Sequence, residues 1–593
     1  MPIIEKNRMP FSDKNIQLRI ALVFPNHYYS GMSSYTIHLL YSLFNSNDYI
    51  RCERFFLPAN VKYPLYSKNT KIPYLDKKSM RSVETRTPLA DFDVIAFSVH
   101  YELDYFNVLW ILDSLGNPFL TEKRAEIENK DFPLLIAGGS CIRNNPLALM
   151  PFLDMIIFGD FEPIIDDFLS ILLKNTDSLS HFNSKLRHNT LGCLTDLLKL
   201  PNLLISYISM HYLKKKNTTL DSYSDIYPIQ YRIFKELDKS KAPVHQIVPE
   251  FNNDQNLLAF GETFLLEINR GCPHRCRFCM TGFLNRPLRN RSIGTLKQLI
   301  DEGILHTPAH KVTFIGSSVL DHPKFVEICE YATSKGYDLM VPSLRIDKTS
   351  DEVLKVLRKG NMKSITIAPE TGSNKLRHGV GKRFSNRMII DLCSKAFSMG
   401  FTSIKFYFLI GLPFEKKEDL MAIPALMKEI YQKLGNIIPY NGLKLSINIF
   451  IPKIFTPFGL YTKNFIGKKL TYLKKAKKLL AEQLKQIKNI EFSIMDPREA
   501  KLQTVLSHLD DSCAEILKSL YFDGAKAVSL KRINPMQQRS IKKLLEKSYE
   551  QFRYVIEQPF DNSIMNSLQI KNRTMNKILQ VIRYKYKENF FNP

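Results

Sequence analysis

Three cysteines in one short segment are the strongest chemical signal in the chain. Cys272, Cys276 and Cys279 lie in the sequence Gly-Cys-Pro-His-Arg-Cys-Arg-Phe-Cys over residues 271–279. Thiolates at this spacing can bind one metal cluster, and three of them leave one iron of a cubane 4Fe-4S cluster without a protein ligand. Electron-transfer clusters and structural zinc sites use four protein ligands instead. The segment therefore predicts an iron with an open position, where a substrate can bind.

The spacing CxxxCxΦC, with the aromatic Phe278 before the last cysteine, resembles the signature of the radical S-adenosylmethionine (SAM) superfamily. This resemblance implies that the open iron chelates the amino and carboxylate groups of SAM. It also implies that one electron from the cluster cleaves a carbon-sulfur bond to give a 5′-deoxyadenosyl radical. A different class of protein stays open, namely a basic RNA-binding protein whose three thiols and His274 form a structural zinc site.

Length and composition limit the class of protein. A chain of 593 residues with 44% hydrophobic residues is long enough for several domains. No apolar run of about 18 residues occurs, and the first residues lack the layout of a secretion signal, so we predict no membrane span and a cytoplasmic location. The six cysteines outside the segment are scattered, so no disulfide is predicted.

Positive charge is in excess and is concentrated near the end of the sequence. The net charge is +25, and residues 461–593 hold 26 Lys and Arg against 13 Asp and Glu, which is +13 of that excess. Such a balance permits RNA or another anionic partner without requiring one. We predict a basic, α-rich C-terminal domain over 461–593.

The first third of the chain alternates apolar strands with helical patterns. After a polar tail (1–16), four strand-like runs begin at Leu18, Asp93, Pro133 and Met155. This alternation predicts a Rossmann-like, doubly wound parallel sheet over 17–180, whose ligands bind at the carboxyl ends of the strands. A polar connecting segment is expected over 181–256.

This domain, placed before the cysteine segment, resembles the cobalamin-binding domain of a subfamily of cobalamin-dependent radical SAM proteins. The resemblance rests on Phe24 to Ser34 and on Ala137-Gly138-Gly139. It implies cobalamin contacts from the strand ends, at Asn26, Gly31, Ser98, Gly138, Gly139 and Gly159. His27 departs from the DxHxxG motif of domains that bind cobalt through histidine, so it is not expected to be a cobalt ligand. A Rossmann-like domain without cobalamin is the alternative.

Residues 257–460 repeat strand and helix six times, counting the strand that precedes the cysteines. This α/β pattern predicts a partial (β/α)6 barrel, the fold of the radical SAM core, with its chemistry at the carboxyl ends of the strands. The resemblance then implies SAM contacts at Phe278 in the cysteine segment and at the following strand positions: Gly316, Ser343, Arg345, Glu370, Lys405, Tyr407 and Gly411. Gly316 is followed by Ser317-Ser318, where many members have a Gly-Gly-Glu type segment for the methionine amino group.

The expected activity is radical cleavage of SAM followed by hydrogen abstraction from an unreactive C-H bond. With cobalamin, the expected product is a C-methylated compound, made by a methyltransferase. The alternative is a non-methylating radical SAM enzyme that carries out a rearrangement or another modification, including modification of RNA. The expected partners are SAM, a substrate that no motif specifies, and a reducing electron donor such as flavodoxin or ferredoxin.

Overall fold

The computed structural model describes residues 4–8, 15–58, 80–125, 127, 132–174, 196–197, 200–201, 203–205, 233–250, 258–454, 456–461, 469–509, 514 and 517–518. The chain divides into two compact units. The core unit comprises Met1–Met9 and Glu236–Thr504, and it begins with the short strand β1 (Glu5–Lys6). The amino-terminal unit comprises Pro10–Lys235 and Val505–Pro593.

The amino-terminal unit is built on one six-stranded sheet. Its strands, in chain order, are β2 (Leu18–His27), β3 (Ile50–Leu57), β4 (Val94–Ser98), β5 (Leu134–Gly138), β6 (Met155–Ile157) and β7 (Leu203–Ile205). In space they are ordered β3-β2-β4-β5-β6-β7, and all pairs are parallel except β6 with β7. Helices between the strands account for the nearly continuous burial of β2 and β4, as expected for a parallel sheet covered on both faces.

Six helices are described between these strands. They are α1 (Tyr28–Met32), α2 (Tyr35–Phe44), α3 (Asp104–Ser114), α4 (Thr121–Ala125), α5 (Ser140–Asn144) and α6 (Ile165–Lys174). In α6 the residues Ile165, Phe168 and Leu172 recur at helical spacing and are buried. The four strands and the α/β class predicted for this part of the chain are confirmed.

Strand β3 was not predicted, because its sequence Ile-Arg-Cys-Glu-Arg-Phe-Phe-Leu mixes charged and apolar residues. Every residue of β3 is nevertheless buried. Its charges are paired: Arg51 Nε lies 2.7 Å from Glu53 Oε1, and Arg54 Nε donates to Glu84 Oε1 at 2.6 Å. Buried charges are tolerated when they are paired in this way.

The core unit contains a curved run of seven parallel strands. The strands are β9 (Phe264–Glu267), β12 (Lys311–Ile315), β13 (Asp338–Met340), β14 (Ser364–Glu370), β15 (Ser403–Ile410), β16 (Leu443–Ile449) and β17 (Ile490–Ile494). They form two sheets, β13-β12-β9 and β14-β15-β16-β17, and a parallel bridge between Leu344 and Ile367 links the two. Two further pairs are antiparallel: β8 (Val248–Pro249) with β1, and β10 (Asn269–Arg270) with β11 (Arg289–Asn290). The partial barrel is confirmed, with one more strand than predicted.

Helices pack on the outer face of these strands. They are α7 (Thr281–Leu284), α8 (Ile293–His306), α9 (Phe325–Ser334), α10 (Asp351–Lys359), α11 (Asn374–Gly379), α12 (Asn386–Ser398), α13 (Lys417–Leu434), α14 (Lys469–Leu484) and α15 (Pro497–Leu506). Local chemistry sets their ends. The Ser350 hydroxyl accepts from Val353 N at the start of α10, and basic residues occupy its last turn.

Alternation along β15 separates the two faces of the barrel wall. Ile404, Phe406 and Phe408 are buried under the helices, whereas Lys405 and Tyr407 lie on the opposite, partly exposed face. Helices and strands thus enclose one apolar layer, and the inner face is left to polar side chains.

The core unit extends beyond the limits that the sequence suggested. Strand β1, within the predicted polar tail, pairs with β8, which lies in the predicted connecting segment. Helix α14 and strand β17 lie in the predicted C-terminal domain, but β17 pairs with β16 and so continues the barrel sheet. The rest of the predicted C-terminal domain, from residue 519 on, lies outside the described residues. Among the helices that the model describes, none is long and apolar enough to cross a membrane.

Candidate active site at the carboxyl ends of the barrel strands

The cysteine loop follows β9 and β10 and ends at α7. Its first residue, Gly271, has φ +88°, and a Cβ there would lie 2.3 Å from the carbonyl oxygens of Asn285 and Pro287. Only glycine fits this turn. The loop then closes on itself through a hydrogen bond from Cys279 N to Cys276 O at 2.9 Å.

The three thiols are reduced and differ in exposure. Cys272 and Cys276 are buried, while Cys279 is half-buried. Burial raises the pKa of Cys272 to about 11 and also raises the pKa of Cys276, where the charges of Lys382 and Arg345 act in the opposite direction. Cationic groups beside a loop of three thiols suit an anionic cluster of iron, sulfide and thiolate, so the donor set fits a three-cysteine 4Fe-4S site.

His274, inside the cysteine loop, is bonded to a carboxylate from a different strand end. Its Nε2 lies 2.6 Å from Asp321 Oδ2, and Asp321 also accepts from the Ser318 hydroxyl and lies 3.5 Å from Lys348 Nζ. Asp321 therefore ties the loop to the segments that follow β12 and β13. In the alternative in which His274 completes a zinc site, the metal would have to bind at Nδ1, because Asp321 occupies Nε2.

The predicted SAM residues lie at or beyond the strand ends, with two exceptions. Gly316 follows β12, Ser343 and Arg345 follow β13, and Glu370 is the last residue of β14. Because carboxyl ends of neighbouring parallel strands share one edge, these residues lie on the same side as the cysteine loop after β9. Lys405 and Tyr407 are instead inside β15, where Lys405 Nζ lies 5.0 Å from the Tyr407 ring centroid.

Gly316 is required by a contact with the start of the loop. A Cβ there would lie 2.2 Å from Asn269 Oδ1, while Asn269 Nδ2 donates to Ser318 O at 2.8 Å. Asn269 is buried, and its Oδ1 has no hydrogen-bond partner among the described residues. An unsatisfied buried acceptor at this position suits a donor such as an ammonium group of a ligand.

Arg345 and Glu370 are both already paired with oppositely charged side chains. Arg345 Nε and Nη2 contact the two carboxylate oxygens of Asp347 at 2.7 and 3.0 Å. Glu370 has φ +64°, an uncommon conformation for a residue with a side chain, and its Oε1 accepts from Lys382 Nζ at 2.6 Å. Ser343, in the segment between β13 and β14, is exposed.

Gly411 opens a loop that a tyrosine from α14 organises. Gly411 has φ +80°, and its N-H donates to Glu415 Oε1 at 2.9 Å. The same oxygen accepts from the Tyr472 hydroxyl at 2.8 Å. Burial and the charge of Glu415 raise the pKa of Tyr472, which keeps this hydroxyl protonated as a donor.

In the amino-terminal unit, the predicted cobalamin residues surround the switch point of the sheet. Strand β2 lies between β3 and β4, so the strand order reverses direction at β2. Doubly wound sheets bind ligands outside the carboxyl ends of the strands at such a switch point. Asn26, at the end of β2, donates to Asp104 Oδ1 at 2.9 Å, and Asn107 donates to the same oxygen at 3.1 Å. The end of β2 is therefore held to α3 by buried polar contacts.

Two histidines flank the crevice, and both are held neutral by burial. The Ser98 hydroxyl lies 2.9 Å from His100 Nε2, and burial lowers the pKa of His100 to about 4. Burial also lowers the pKa of His27. Because both imidazoles are neutral, His27 and His100 contribute no positive charge at this edge of the sheet.

The four glycines predicted to contact cobalamin differ in how closely neighbouring atoms pack around them. Gly31 lies in α1, where a Cβ would come within 2.2 Å of the Phe56 ring, and Gly139 has φ +121° with a Cβ position 2.2 Å from Val99 O. Packing alone explains both. Gly138 has space, with the nearest atom 3.6 Å from its Cβ position, and Gly159 follows β6. These assignments to cobalamin stay predictions.

Most of the further residues of the barrel site gave no signal in the sequence. Asp321, Lys382 and Tyr472 act through partners that are 12 to 57 residues away along the chain. The positive φ of Glu370 and the folding back of α11 bring Lys382 to the strand end, and neither is visible in hydrophobic periodicity. Asn269 alone had a usable signal, because it directly precedes the cysteine loop.

Two protein-family models match the chain. Residues 36–191 match the model described as "Radical SAM proteins, N-terminal", and residues 266–426 match the model "Radical SAM superfamily". The second match contains the cysteine loop and strands β12 to β15. The chain is a radical SAM enzyme. A 4Fe-4S cluster and SAM are accordingly the cofactors of its barrel.

Curated proteins similar to this radical SAM enzyme include two from archaea. It is 27% identical over 460 residues to an uncharacterized protein of Methanocaldococcus jannaschii, which covers 77% of the chain and 83% of the relative. It is 22% identical over 222 residues to an uncharacterized methyltransferase of Pyrococcus horikoshii, which covers 36% of the chain and 47% of the relative.

Among solved structures, similarity is found to TsrM from Kitasatospora setae, a radical S-adenosylmethionine methyltransferase with cobalamin and a 4Fe-4S cluster bound. The TM-score is 0.46 at 10% identity, covering 90% of this chain and 99% of the other. Similarity is also found to the cobalamin-dependent S-adenosylmethionine radical enzyme OxsB, with a TM-score of 0.45 at 14% identity, covering 96% of this chain and 75% of the other.

Proposed function

We propose that this radical SAM enzyme is a cobalamin-dependent C-methyltransferase. The observation that carries the proposal is the presence, in one chain, of two ligand edges. One is the switch-point edge of a doubly wound sheet, and the other is a three-cysteine loop at the carboxyl ends of a partial barrel. The similarity to an uncharacterized methyltransferase of Pyrococcus horikoshii supports the transfer of a methyl group.

In the barrel, we assign the cluster to Cys272, Cys276 and Cys279, and SAM to the strand ends beside them. The cluster and SAM supply the radical that abstracts hydrogen from substrate. The chain's own residues fix the geometry: Asp321 holds the loop through His274, and Asn269 presents its unsatisfied Oδ1 beside Gly316. The Glu415 and Tyr472 pair fixes the loop at Gly411, which is one of the predicted SAM contacts.

In the amino-terminal unit, we assign cobalamin to the crevice between the ends of β2 and β4. The position of this edge in the sheet and its buried polar contacts support the assignment. Doubly wound sheets bind ligands outside the strand ends at the switch point. Asn26 and Ser98 are buried and hydrogen-bonded to Asp104 and His100, so they hold the edge in place, and a Cβ at Gly138 would meet no atom closer than 3.6 Å. Bound cobalamin supplies a cobalt that carries a methyl group. Neither neutral histidine matches the motif of a cobalt ligand.

Two measurements test the proposal. The chain is first purified without oxygen from cells supplied with hydroxocobalamin, and iron and cobalt are counted. About four iron and about one cobalt per chain are expected. Turnover with methyl-labelled SAM is then followed, and the label is expected in product together with 5′-deoxyadenosine. Product that forms without label would contradict methyl transfer and favour another radical modification.

A further inference from the structure

Lys382 is a buried lysine whose ammonium group is held at the end of β14. Nζ donates to Glu370 Oε1 at 2.6 Å and to Ala368 O at 2.7 Å. The residue is 9% exposed. Lysines are seldom buried unless they are paired, and breaking such a pair leaves an uncompensated charge. A buried ammonium group at the carboxyl end of β14 therefore indicates a specific role for Lys382.

The segment that carries Lys382 is packed directly on the cysteine loop. Arg277 N donates to Val380 O at 3.0 Å, and Arg277 Nη1 donates to Gly379 O at 3.1 Å. Gly381 has φ +90°, and a Cβ there would lie 3.1 Å from Arg275 O and 3.4 Å from Cys276 Cα. The backbone just before Lys382 is thus fixed against the backbone of Cys276.

The partner of Lys382 is held in a strained conformation. Glu370 has φ +64°, and the register between β14 and β15 shifts between Ile367 and Glu370. A left-handed conformation is unfavourable for a residue with a side chain and persists where surrounding contacts enforce it, commonly at functional sites. The two hydrogen bonds of Lys382, one to the Glu370 side chain and one to Ala368 O, span this bend.

We propose that Lys382 is a positioning residue of the cluster and SAM site. It fixes the Glu370 carboxylate in its left-handed conformation, and its positive charge stabilises the reduced, more negative state of the cluster held by Cys276. The inference rests on the assignment of Cys276 as a cluster ligand.

The test compares Lys382→Met, which removes the charge but keeps an unbranched apolar chain, with Lys382→Arg, which keeps the charge. Each full-length protein is purified without oxygen, and its iron content is measured. The ratio of reduced to oxidised cluster at one fixed potential is then read by electron paramagnetic resonance. SAM binding is measured by equilibrium dialysis.

In Lys382→Met we expect iron content like that of the unaltered chain and a reduced-to-oxidised ratio lower by roughly tenfold, because a nearby cation is lost. We expect SAM binding weaker by roughly tenfold, because Glu370 is no longer held by a charge-assisted hydrogen bond. Lys382→Arg should restore most of both values.

Glu370→Gln is the matched control, because it removes the opposite charge from the same pair. It should raise the reduced-to-oxidised ratio, whereas Lys382→Met lowers it. A purely structural pair would not shift the ratio in opposite directions. If Lys382→Met does not fold, the ratio in Glu370→Gln decides, and an unchanged ratio there overturns the proposal.

Unchanged reduction and SAM binding in a folded Lys382→Met protein would also overturn it. These readouts need neither cobalamin nor substrate, so failure of methyl transfer leaves them intact. Failure of the cysteine assignment would appear separately, as a missing cluster in the unaltered chain.

Discussion

At the scale of single residues, the three cysteines are set apart from the other described thiols by their surroundings. Cys329 and Cys393 are fully buried in helices of the apolar core, where burial raises their pKa strongly. Cys272, Cys276 and Cys279 lie in a loop with cationic neighbours. Reactivity follows such surroundings rather than residue type alone.

Replacing any one of the three loop cysteines by alanine should remove the cluster. Iron is expected to fall from about four to well under one per chain, since two thiolates do not hold a cubane with an open iron. The matched control is Cys329→Ala, which removes a thiol of the same type from a helix interior and should keep its iron. Iron and sulfide analysis with the visible absorption spectrum measures both variants. Equal loss of iron in the control would contradict the assignment.

Asp321 should stabilise the loop over the whole neutral pH range. Burial alone would raise the pKa of Asp321, but hydrogen bonds from His274 and Ser318, with the charge of Lys348, lower it to about 2. A carboxyl group whose pKa is lower in the folded state contributes stability above its unfolded pKa of about 3.9, and this contribution is lost as pH falls toward 2.

Asp321→Asn is therefore expected to destabilise the cluster-free chain by roughly 1 kcal/mol, after allowance for solvent screening. Urea unfolding measured between pH 5 and pH 8 should show a constant difference from the unaltered chain, and the difference should shrink only below about pH 4. Glu327→Gln, at an exposed ion pair between α8 and α9, is the control and should have little effect. A difference that varied between pH 5 and pH 8 would contradict this account of Asp321.

At the scale of elements, sequence periodicity was sufficient to predict strands that are uniformly apolar or that alternate clearly. It was insufficient for strands whose charged residues are buried in ion pairs. Strand β5 is a continuous apolar run and β15 is a clear alternation, and both were predicted. Strand β3 was missed because its arginines and glutamates are neutralised only by partners in the folded unit. Strand β17 was missed because, among the described strands, it pairs with β16 alone, and β16 is more than 40 residues away in sequence.

Gly138, the last residue of β5, and Gly139, which follows it, allow an effect on folding to be distinguished from an effect on ligand binding. Gly139→Ala places a Cβ 2.2 Å from Val99 O at φ +121°, so we expect a loss of more than about 3 kcal/mol in stability. Gly138→Ala meets only ordinary contacts at 3.6 Å and should leave folding nearly unchanged. Circular dichroism with urea unfolding measures both.

The same pair tests the cobalamin assignment. If Gly138 admits the cofactor, Gly138→Ala should fold normally and yet bind less cobalt after growth with hydroxocobalamin. Normal cobalt content in this variant would remove Gly138 from the cofactor site. Gly139 cannot serve this purpose, because its substitution affects the fold itself.

At the scale of the whole molecule, the sequence indicated the class of each unit but not the limits of the core unit. The alternation of strand and helix and the cysteine spacing were enough for an α/β fold and a partial barrel. The pairing of residues 5–6 with 248–249, and the addition of β17 after a long basic segment, depend on contacts between distant parts of the chain. Local pattern carries no information about such contacts, and the same limit hid Lys382 and Asp321.

The two units should respond to different ligands when hydrogen exchange is measured by mass spectrometry. Ligands that bind at strand ends order the backbone of the loops there, and ordering slows exchange. SAM added to the cluster-loaded chain should slow exchange in residues 272–280, 370–382 and 411–415. Cobalamin should slow exchange in residues 26–31, 98–101 and 138–141, because the crevice of the amino-terminal sheet lies between these segments. A variant with Cys276→Ala should lose the response to SAM and keep the response to cobalamin, since its amino-terminal sheet is intact. Cobalamin that slowed no exchange in the amino-terminal unit would contradict the assigned crevice, while a normal SAM response in the same experiment would leave the radical SAM chemistry of the barrel in place.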